Sequence, residues 1–395
     1  MTVFPTGIPR LPKVVLHDHL DGGLRVETLW ELAEQAGHRL PGEDPAAVGD
    51  WIADAAAAGS LAAYLATFEH TLAVMQTAES LARVAREAVL DLADDGVAYA
   101  ELRFAPEQHG RAGMTLDQAI DAVLAGLGEG EAEAAAQGCH ITARAITCAM
   151  RQADRSLEVA EAALRFRGRG VVGFDIAGPE AGFPPRRHAA AFALLREAEF
   201  PFTIHAGEAD GVESIREAVE EMGAARVGHG VRIIEDISGI GPGAGVGVRF
   251  GQLSGSGRRF GGLSRVGDGV EVRSGTLTEP GVDTEPAVLG PVASLLLTRG
   301  IALEMCPTSN LHTGAASSID THPISALKRL GFAVTLNTDN RLMSDTTMSR
   351  EITLLLVEAN WSMLDFKDVA ITAAHAAFLP PDERQDLVAR ITAAY

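Results

Sequence analysis

Short apolar runs alternate with longer segments whose apolar residues recur at helical spacing, and this alternation continues through most of the chain. Strands separated by helices pair in parallel through right-handed crossovers, and eight such units are the number that closes a barrel. The pattern therefore predicts the α/β class and a (β/α)8 TIM-type barrel. The predicted strands are Val14–Leu16, Val97–Phe104, Ile141–Cys148, Val171–Ile176, Phe202–Ile204, Ala225–Val227, Ile301–Met305 and Ala333–Leu336.

Helical segments occur between these strands and also at two additional places. Those between the strands include Ser80–Ala93, Thr115–Ala136, Pro185–Ala198 and Val212–Met222. The additional helices follow strand one, at Val26–Ala36 and Trp51–Met75, or end the chain, at Met348–Leu356, Asp365–Ala377 and Pro381–Ala393. We interpret them as additions to the barrel, so residues 1–395 are expected to form one domain. An open doubly wound sheet is the alternative, and the absence of GxGxxG after the first strand disfavours it.

A glycine-rich insertion, residues 239–281, interrupts the alternation. Glycine is about three times as frequent there as in the whole chain, and arginines outnumber acids. Such a composition buries little apolar area, so a mobile loop or a loosely ordered hairpin is expected. Because the insertion follows strand six, it should emerge at the barrel face that carries active sites. A lid over that face is the alternative to an insertion without a catalytic role.

The charge and the apolar content of the chain restrict its partners. The formal charge is −20 at pH 7, which would repel phosphate-rich molecules, so nucleic acid is not an expected partner. No stretch reaches the ~20 apolar residues that span a bilayer, and there is no apolar signal region, so we expect no membrane association and a cytoplasmic location. No feature indicates an obligate protein partner. Cys139, Cys148 and Cys306 lack disulfide or metal-site spacing and are expected to be reduced thiols in the core.

The sequence HDH directly follows the first predicted strand and supplies His17 and His19. In an extended segment, residues two apart point the same way, so both imidazoles can approach one metal ion. His205, His229 and Asp339 also follow predicted strands, namely strands five, six and eight. All five side chains should therefore converge over one mouth of the barrel.

Three histidines and a carboxylate form a nitrogen-rich site that is typical of zinc, with a position left for water. A water bound there reaches a pKa of about 7 and can act as a nucleophile at neutral pH. Related barrel hydrolases with two metals use a carboxylated lysine after strand four. The segment Gly173–Gly178 has no lysine, and the chain contains only Lys13, Lys328 and Lys367. We therefore expect one Zn²⁺ per chain.

Glu208 lies three residues beyond His205 in the sequence HAGE. It can reach the same mouth without being an evident metal ligand. A carboxyl group there can donate a proton to a ring nitrogen of a substrate under attack. The alternative is an acid that merely stabilises a helix N-terminus through the macrodipole.

Six motifs together resemble the adenosine deaminases of the amidohydrolase superfamily. They occur in the order found in that family and cover nearly the whole chain except the glycine-rich insertion. The resemblance implies hydrolysis of the 6-amino group of adenosine, and of 2′-deoxyadenosine, to inosine or deoxyinosine and ammonia in purine salvage. The motifs are LHDHLDG at Leu16–Gly22, GFDIAGPE at Gly173–Glu180, HAGE at His205–Glu208, GHG at Gly228–Gly230, MCPTSN at Met305–Asn310 and NTD at Asn337–Asp339.

The same resemblance implies how the metal and the catalytic groups are arranged. Glu208 would protonate the purine N1, and His229 would orient the attacking water and help to deprotonate it. The implied zinc ligands are His17, His19, His205 and Asp339.

The resemblance also implies the substrate contacts. Asp21 would bind the ribose, Gly178 would contact N3 through its backbone, and His19 would touch the substrate. The chain departs from the family at Asn340, where many members have a second aspartate that faces N7. An aspartate must be protonated to donate a hydrogen bond, whereas an asparagine amide donates at any pH. Purine recognition should therefore differ in its pH dependence.

Other functions fit the sequence less well. Adenine deaminases usually have glutamate at the position of Asp21, and the shorter carboxylate leaves room for a sugar, which favours a nucleoside. A futalosine-type nucleoside would fit the same site. The zinc deaminases that use HxE with PCxxC are excluded by their missing motifs. A non-catalytic binding module would be expected to lack a ligand or Glu208, and neither is missing.

The remaining histidines lack partner spacing, so structural or solvated roles are expected for them. His312 and His322 flank a loop near strand seven, and their roles are the most open. The full set is His38, His70, His109, His140, His188, His312, His322 and His375.

Overall fold

The computed structural model describes residues 7–239 and 287–395, together with the backbone of residues 263–266 and 269–272. Parallel strands form its centre, each a short apolar segment that is buried along most of its length. In chain order they are β1 Lys13–His19, β2 Val97–Phe104, β3 Thr142–Met150, β4 Val171–Ala177, β5 Thr203–Ala206, β6 Arg226–His229, β7 Ala302–Met305 and β8 Val334–Leu336.

These strands pair with their neighbours in chain order. Strands β1 to β4 form one parallel sheet and β5 to β8 form another. The two sheets meet at both edges. Phe174 of β4 bridges to Phe202 beside β5, and Asp18 of β1 bridges to Asp339 just after β8. The strand order and the parallel sense are those of the predicted (β/α)8 barrel.

Five strands, namely β1, β3, β4, β5 and β6, are longer at their carboxyl ends than the sequence pattern predicts. The first strand was expected to end at Leu16, but β1 continues to His19 because Asp339 pairs with it. The Asp339 N–H donates to the His17 carbonyl at 3.0 Å, and the His19 N–H donates to the Asp339 carbonyl at 2.6 Å. β5 likewise includes His205. These histidines therefore lie within strands and not in the loops that follow them.

The helices cover the outside of the barrel and extend it at both places expected from the sequence. In chain order they are α1 Val26–Ala36, α2 Pro45–Ala56, α3 Leu61–Ala66, α4 Phe68–Val74, α5 Ala78–Asp94, α6 Leu116–Ala136, α7 Ser156–Arg165, α8 Ala189–Glu197, α9 Val212–Arg216, α10 Pro291–Arg299, α11 Pro307–His312, α12 Pro323–Arg329, α13 Met348–Glu358, α14 Met363–Ala376 and α15 Pro381–Ala394.

The predicted single helix Trp51–Met75 is wrong, because three helices occupy this part of the chain. α2 begins earlier, at Pro45, where the Asp44 side chain accepts the Ala47 N–H and caps the helix. Gly59 then adopts a left-handed conformation with φ +73°, which ends the helical run. Ser60 caps α3, and a further break separates α3 from α4.

A small antiparallel sheet follows β6. The strand Ile237–Ser238 pairs with Val288–Leu289, which pairs with Gly269–Val272, and that strand pairs with Leu263–Val266. The last two strands belong to the predicted insertion, residues 239–281. Most of that insertion lies outside the described residues, so its role as a lid remains a prediction.

The apolar core lies between the barrel strands and the surrounding helices. Cys148 and Cys306 are buried in it and Cys139 is half-buried, and all three thiols are free, as the sequence predicted. In the part of the chain that is described, no helix combines the length and the apolar character needed to cross a membrane.

Candidate active site

The carboxyl ends of four strands meet at one mouth of the barrel. His17 and His19 lie on β1, His205 lies on β5, His229 ends β6 and Asp339 follows β8. The His17 ring centroid is 4.6 Å from that of His205 and 4.7 Å from that of His229. The structure thus brings together all five side chains that the sequence placed at this mouth.

Four of these side chains offer ligand atoms to a common point. One such atom from each of His17, His19, His205 and Asp339 lies within 4.8 Å of all the others. His17 Nε2 is 3.1 Å from Asp339 Oδ1, and His19 Nε2 is 3.2 Å from His205 Nε2. Three imidazole nitrogens and one carboxylate oxygen form a donor set suited to a divalent metal.

Carboxylates behind the histidines determine which ring nitrogen faces the centre. His17 Nδ1 donates to Glu304 Oε2 at 3.0 Å, and His205 Nδ1 lies 2.8 Å from Asp175 Oδ2. Arg103 bridges the two acids at 2.7 and 2.8 Å. Protonation at Nδ1 leaves each Nε2 lone pair free, which is the form that binds a metal. The sequence reasoning missed these acids, although a charge within an apolar strand such as ALEM is a usable signal.

The electrostatics of the site favour positive charge at its centre. Burial and Arg103 oppose a charge on His17, but Asp339 and Glu304 outweigh them and raise the pKa of His17. Burial would raise the pKa of Asp339, yet the contact with His17 and the neighbouring histidines lowers it well below its usual value. Histidine lone pairs and a carboxylate therefore converge on one point. A cation bound there would balance the negative charge.

Two residues at the mouth have left-handed backbone conformations, which residues other than glycine rarely adopt. His229 has φ +61° and Asp339 has φ +60°. Such conformations cost on the order of 1–3 kcal/mol each for residues other than glycine. The surrounding backbone enforces them: Asp339 pairs with β1, and the Gly230 N–H donates to the Ala206 carbonyl at 3.0 Å. Strain of this kind is typical of functional sites.

Glu208 lies beside the metal cluster and is almost fully buried. Its Oε1 accepts the Thr313 hydroxyl at 2.9 Å, and its Oε2 is 3.6 Å from His229 Nε2. Burial, together with the charge of Asp339, raises the pKa of Glu208 well above its usual value. Glu208 is therefore held as a neutral carboxylic acid that can donate a proton.

A chain of polar side chains fixes the protonation of His229. His322 Nδ1 accepts the Ile324 N–H at 3.1 Å, so the ring proton lies on Nε2 and points to Asn310 Oδ1 at 3.3 Å. Asn310 Nδ2 then donates to His229 Nδ1 at 3.0 Å. Burial lowers the pKa of His229 well below its usual value. His229 is therefore neutral, with its proton on Nε2.

A cavity of about 520 Å³ opens above these groups and is large enough for a nucleoside-sized molecule. Helices α3 and α4 provide an apolar wall, which includes Leu61, Leu65 and Phe68. Gly178 lines the opposite part with φ +107°, and a Cβ at this position would lie 2.6 Å from Gln152 Oε1. Only glycine allows the backbone to come this close to the cavity.

Two of the predicted substrate-binding side chains, Asp21 and Asn340, line the same cavity. Asp21 Oδ1 and Asn340 Oδ1 are buried and have no hydrogen-bond partner among the described residues. Burial raises the pKa of Asp21 to about 7. Gly22 makes room for Asn340, since a Cβ there would lie 1.9 Å from its amide oxygen. Unsatisfied buried polar atoms at a cavity wall point to a polar ligand.

The other histidines that the structure describes lie outside the metal cluster. His109 Nδ1 contacts the Met75 carbonyl at 2.9 Å, and His38 Nε2 contacts His70 Nδ1 at 3.0 Å. Both arrangements fit the structural roles predicted for these residues. His322 differs because it reaches the active site through Asn310.

Comparisons with known proteins find relatives that match nearly the whole chain. The adenosine deaminase family model matches residues 12–394. An adenosine deaminase of Mycobacteroides abscessus is 49% identical over 96% of this chain and 94% of its own length. Adenosine deaminase 1 of Streptomyces coelicolor is 46% identical over 98% of this chain and 87% of its own length.

Solved structures show the same fold at lower identity. An adenine deaminase of Arthrobacter aurescens has a TM-score of 0.75 and 21% identity over 97% of this chain and 98% of its own. An Arabidopsis N6-mAMP deaminase has a TM-score of 0.73 and 22% identity over 98% and 99%. Sequence identity, the match of the family model and the arrangement of the mouth lead to one conclusion: this chain belongs to the adenosine deaminase family.

Proposed function

We propose that the site binds a single Zn²⁺ and serves the hydrolytic deamination of adenosine to inosine and ammonia, the reaction of the family. The convergence of His17, His19, His205 and Asp339 carries this proposal. These residues would hold the ion, because one ligand atom from each lies within 4.8 Å of all the others. When bound, Zn²⁺ would acidify a water molecule and so provide a nucleophile at neutral pH.

A second metal has no ligand of the usual kind here. The three lysines of the chain are occupied elsewhere: Lys13 and Lys367 donate to backbone carbonyls, and Lys328 pairs with Asp365. Asp175, which lies within β4, contacts His205 and Arg103. We therefore propose one metal ion per chain.

Glu208 would donate a proton in the reaction, and His229 would orient the attacking water. Glu208, held neutral by burial, gives its proton to the purine N1 as water adds to C6. The Nε2–H of His229 orients the attacking water by donating a hydrogen bond to it. The sequence analysis also expected His229 to help deprotonate this water. A nitrogen that already carries a proton favours the orienting role.

The cavity wall would select an uncharged nucleoside. Asp21 offers a buried carboxylate oxygen to the ribose, Gly178 offers its backbone to N3, and the Asn340 amide faces N7. Among the described residues that line the cavity, four are acidic and none is lysine or arginine. A 5′-phosphate would find no positive partner there. We propose adenosine and 2′-deoxyadenosine as substrates, and not AMP.

An absorbance assay over a panel of substrates tests this proposal. We expect turnover of adenosine and deoxyadenosine, little turnover of adenine or AMP, and loss of activity on chelation. Metal analysis should find about one zinc per chain. Preference for adenine or for a modified nucleoside such as a futalosine would replace the proposed substrate. Two tightly held ions would contradict the single-metal site.

The Glu208→Gln variant tests the proton donor. The amide cannot give up a proton, so turnover should fall by a factor on the order of 10² or more while the metal stays bound. The variant is compared with the wild-type protein for kcat, metal content and thermal unfolding. Near-normal turnover in a folded, metal-loaded variant would remove Glu208 from the mechanism.

A further inference from the structure

Glu180 is a buried carboxylate in the loop that follows β4, and no role has been assigned to it so far. It is only 3% exposed. It ends the motif GFDIAGPE, two residues beyond Gly178 of the cavity wall. Its side chain points away from the metal cluster and into the neighbouring loop, which connects β5 to α9 and contains Glu208.

Five donors from that neighbouring loop and from α9 surround the Glu180 carboxylate. Oε1 accepts the Gly207 N–H and the Ser214 hydroxyl, both at 2.6 Å. Oε2 accepts the N–H groups of Glu208, Ala209 and Asp210 at 3.0, 2.7 and 3.0 Å. Successive backbone N–H groups that converge in this way form an anion-binding nest, and an internal carboxylate fills it here.

The loop needs this anchor because its backbone is not regular. Gly207 has φ +72°, and a Cβ there would lie 2.4 Å from Ile215. The chain therefore turns sharply between His205, a metal ligand, and Glu208. Among the described residues, the Glu208 side chain contacts only the Thr313 hydroxyl and, at 3.6 Å, His229 Nε2. Its position depends mainly on its backbone, which Glu180 holds.

We propose that Glu180 is a positioning residue that fixes the proton donor Glu208 against the purine ring through the backbone of residues 207–210. This rests on the proposed function, because it assumes that Glu208 donates a proton. Glu180 belongs neither to the described residues that line the cavity nor to the candidate metal cluster. A proton donor displaced by about 1 Å can lose on the order of 10²-fold in rate, so an anchor of this kind has a direct effect on turnover.

The charge of Glu180 also acts on the pKa of Glu208, which gives a second and independent prediction. Among the described residues, the charged or titratable groups that act on Glu208 include His229 at the end of β6, Asp339 after β8, Arg151 after β3, Glu180 after β4 and the Cys306 thiol after β7. Burial is the main cause of its raised pKa, and the negative charges of Asp339 and Glu180 add to it, while Arg151 opposes it. Because Glu208 acts in its protonated form, activity falls as pH rises through its pKa. Loss of the Glu180 charge should move this alkaline limb to lower pH.

The first test is Glu180→Gln, with the full-length, zinc-loaded chain. The NH₂ group of the glutamine amide can only donate hydrogen bonds. It would therefore face backbone N–H groups that also donate, and the hydrogen bonds of the nest would be lost or weakened. We expect kcat for adenosine to fall by a factor on the order of 10 to 100, with the zinc content unchanged. The alkaline limb of kcat/KM should shift to lower pH.

The second test is chemical rescue of Glu180→Ala with formate. Formate carries the missing carboxylate and is small enough to enter the vacated nest. We expect added formate to restore at least part of kcat in this variant and to leave the wild-type protein unaffected. The matched control is Glu217→Gln. Glu217 is 2% exposed and accepts the Arg186 N–H, but it does not line the cavity. That variant should lose stability without a change in pH profile or a response to formate.

Several outcomes would overturn the proposal. A folded, zinc-loaded Glu180→Gln variant with kcat within twofold of wild type would do so, and so would an unmoved alkaline limb or a lack of formate rescue. If neither variant folds, Glu180→Asp keeps the charge but shortens the reach, and wild-type kcat in that variant would count against the proposal. Failure of the proposed function is distinguishable, because the wild-type protein would then not deaminate adenosine in the same assay.

Discussion

Asp175 shows how a residue outside the ligand set can control the metal at the scale of a single side chain. It contacts His205 Nδ1 at 2.8 Å and Arg103 at 2.7 Å, and it is fully buried. The charges of His205 and Arg103 outweigh burial and lower the pKa of Asp175, so it is ionised. An ionised partner keeps the histidine proton on Nδ1 and the Nε2 lone pair directed at the metal.

The variant Asp175→Asn should therefore weaken metal binding. An asparagine can present its amide N–H₂ to His205, which favours the proton on Nε2 and blocks coordination. We expect metal affinity to fall by about 10- to 100-fold, as measured by the metal retained after dialysis against graded chelator. Asp365→Asn, which alters a carboxylate paired with Lys328 away from the cavity, is the control. Equal retention in both variants would show that Asp175 does not tune the metal site.

Asn340 gives a prediction about pH. In Asn340→Asp, the new carboxyl must be protonated to donate to the purine N7, whereas the native amide donates at any pH. The kcat/KM of the variant for adenosine should therefore fall as pH rises through the pKa of the new acid, in addition to the alkaline limb that Glu208 sets in both proteins.

A substrate analogue provides the control for this prediction. 7-Deazaadenosine has no acceptor at the N7 position, so the contact with residue 340 is lost in both proteins. The pH dependence introduced by the substitution should then be much smaller. If the substitution caused the same additional loss of kcat/KM at alkaline pH with both substrates, residue 340 would not contact N7.

At the scale of elements, the sequence predicted the barrel because its strands are short, apolar and separated by helices. It also located the candidate metal ligands that the structure brings together, since every candidate came at a strand end. Two features were not predictable in the same way. The length of β1 depends on pairing with Asp339, more than 300 residues later. The break at Gly59 required attention to a cap and a left-handed glycine within a periodic apolar pattern.

The network behind the ligands escaped sequence reasoning for a related reason. Glu101, Arg226 and Glu304 lie on three different strands and are all buried. Arg226 pairs with both acids, at 2.5 and 2.6 Å. Each charge looks unfavourable within its own strand. Only the packing of the parallel strands side by side shows that the charges satisfy one another and, through Glu304, orient His17.

The glycine-rich insertion gives the prediction that belongs to elements. Replacing most of residues 239–281 with a short linker should leave the barrel folded, because loop-closure entropy changes slowly with length. If the insertion is a lid, the shortened protein should keep its zinc but show a raised KM, since the substrate is less well enclosed. If it has no catalytic role, KM should stay unchanged.

Two measurements separate these cases, namely the zinc content and the steady-state kinetics of the shortened protein. The full-length chain, prepared in parallel, is the reference for both. Loss of soluble, folded protein on shortening would contradict both interpretations. It would show that the insertion, through the strands Leu263–Val266 and Gly269–Val272, contributes to the folding of the barrel.

At the scale of the whole molecule, a bound metal would connect function to stability. Its candidate ligands come from β1, β5 and the segment after β8, so one ion would link the two four-stranded sheets at the edge where they meet. His17 Nε2 is buried and lies 3.1 Å from Asp339 Oδ1, at the point where the candidate ligand atoms converge. Metal binding should therefore stabilise the entire fold and not only the mouth of the barrel.

Removal of the metal is expected to lower the melting temperature. A ligand present at 1,000 times its Kd stabilises the native state by about 4 kcal/mol, and this contribution disappears on chelation. Because the histidine ligands must be deprotonated to bind, the difference between the loaded and the stripped protein should also shrink as pH falls below about 6. Calorimetry of both forms between pH 5 and pH 8 measures these effects, and added Zn²⁺ should restore the higher transition. Asp339→Ala, which lacks one ligand, should respond much less to chelator. Identical melting temperatures for the loaded and the stripped wild-type protein would mean that the ion does not connect the two sheets.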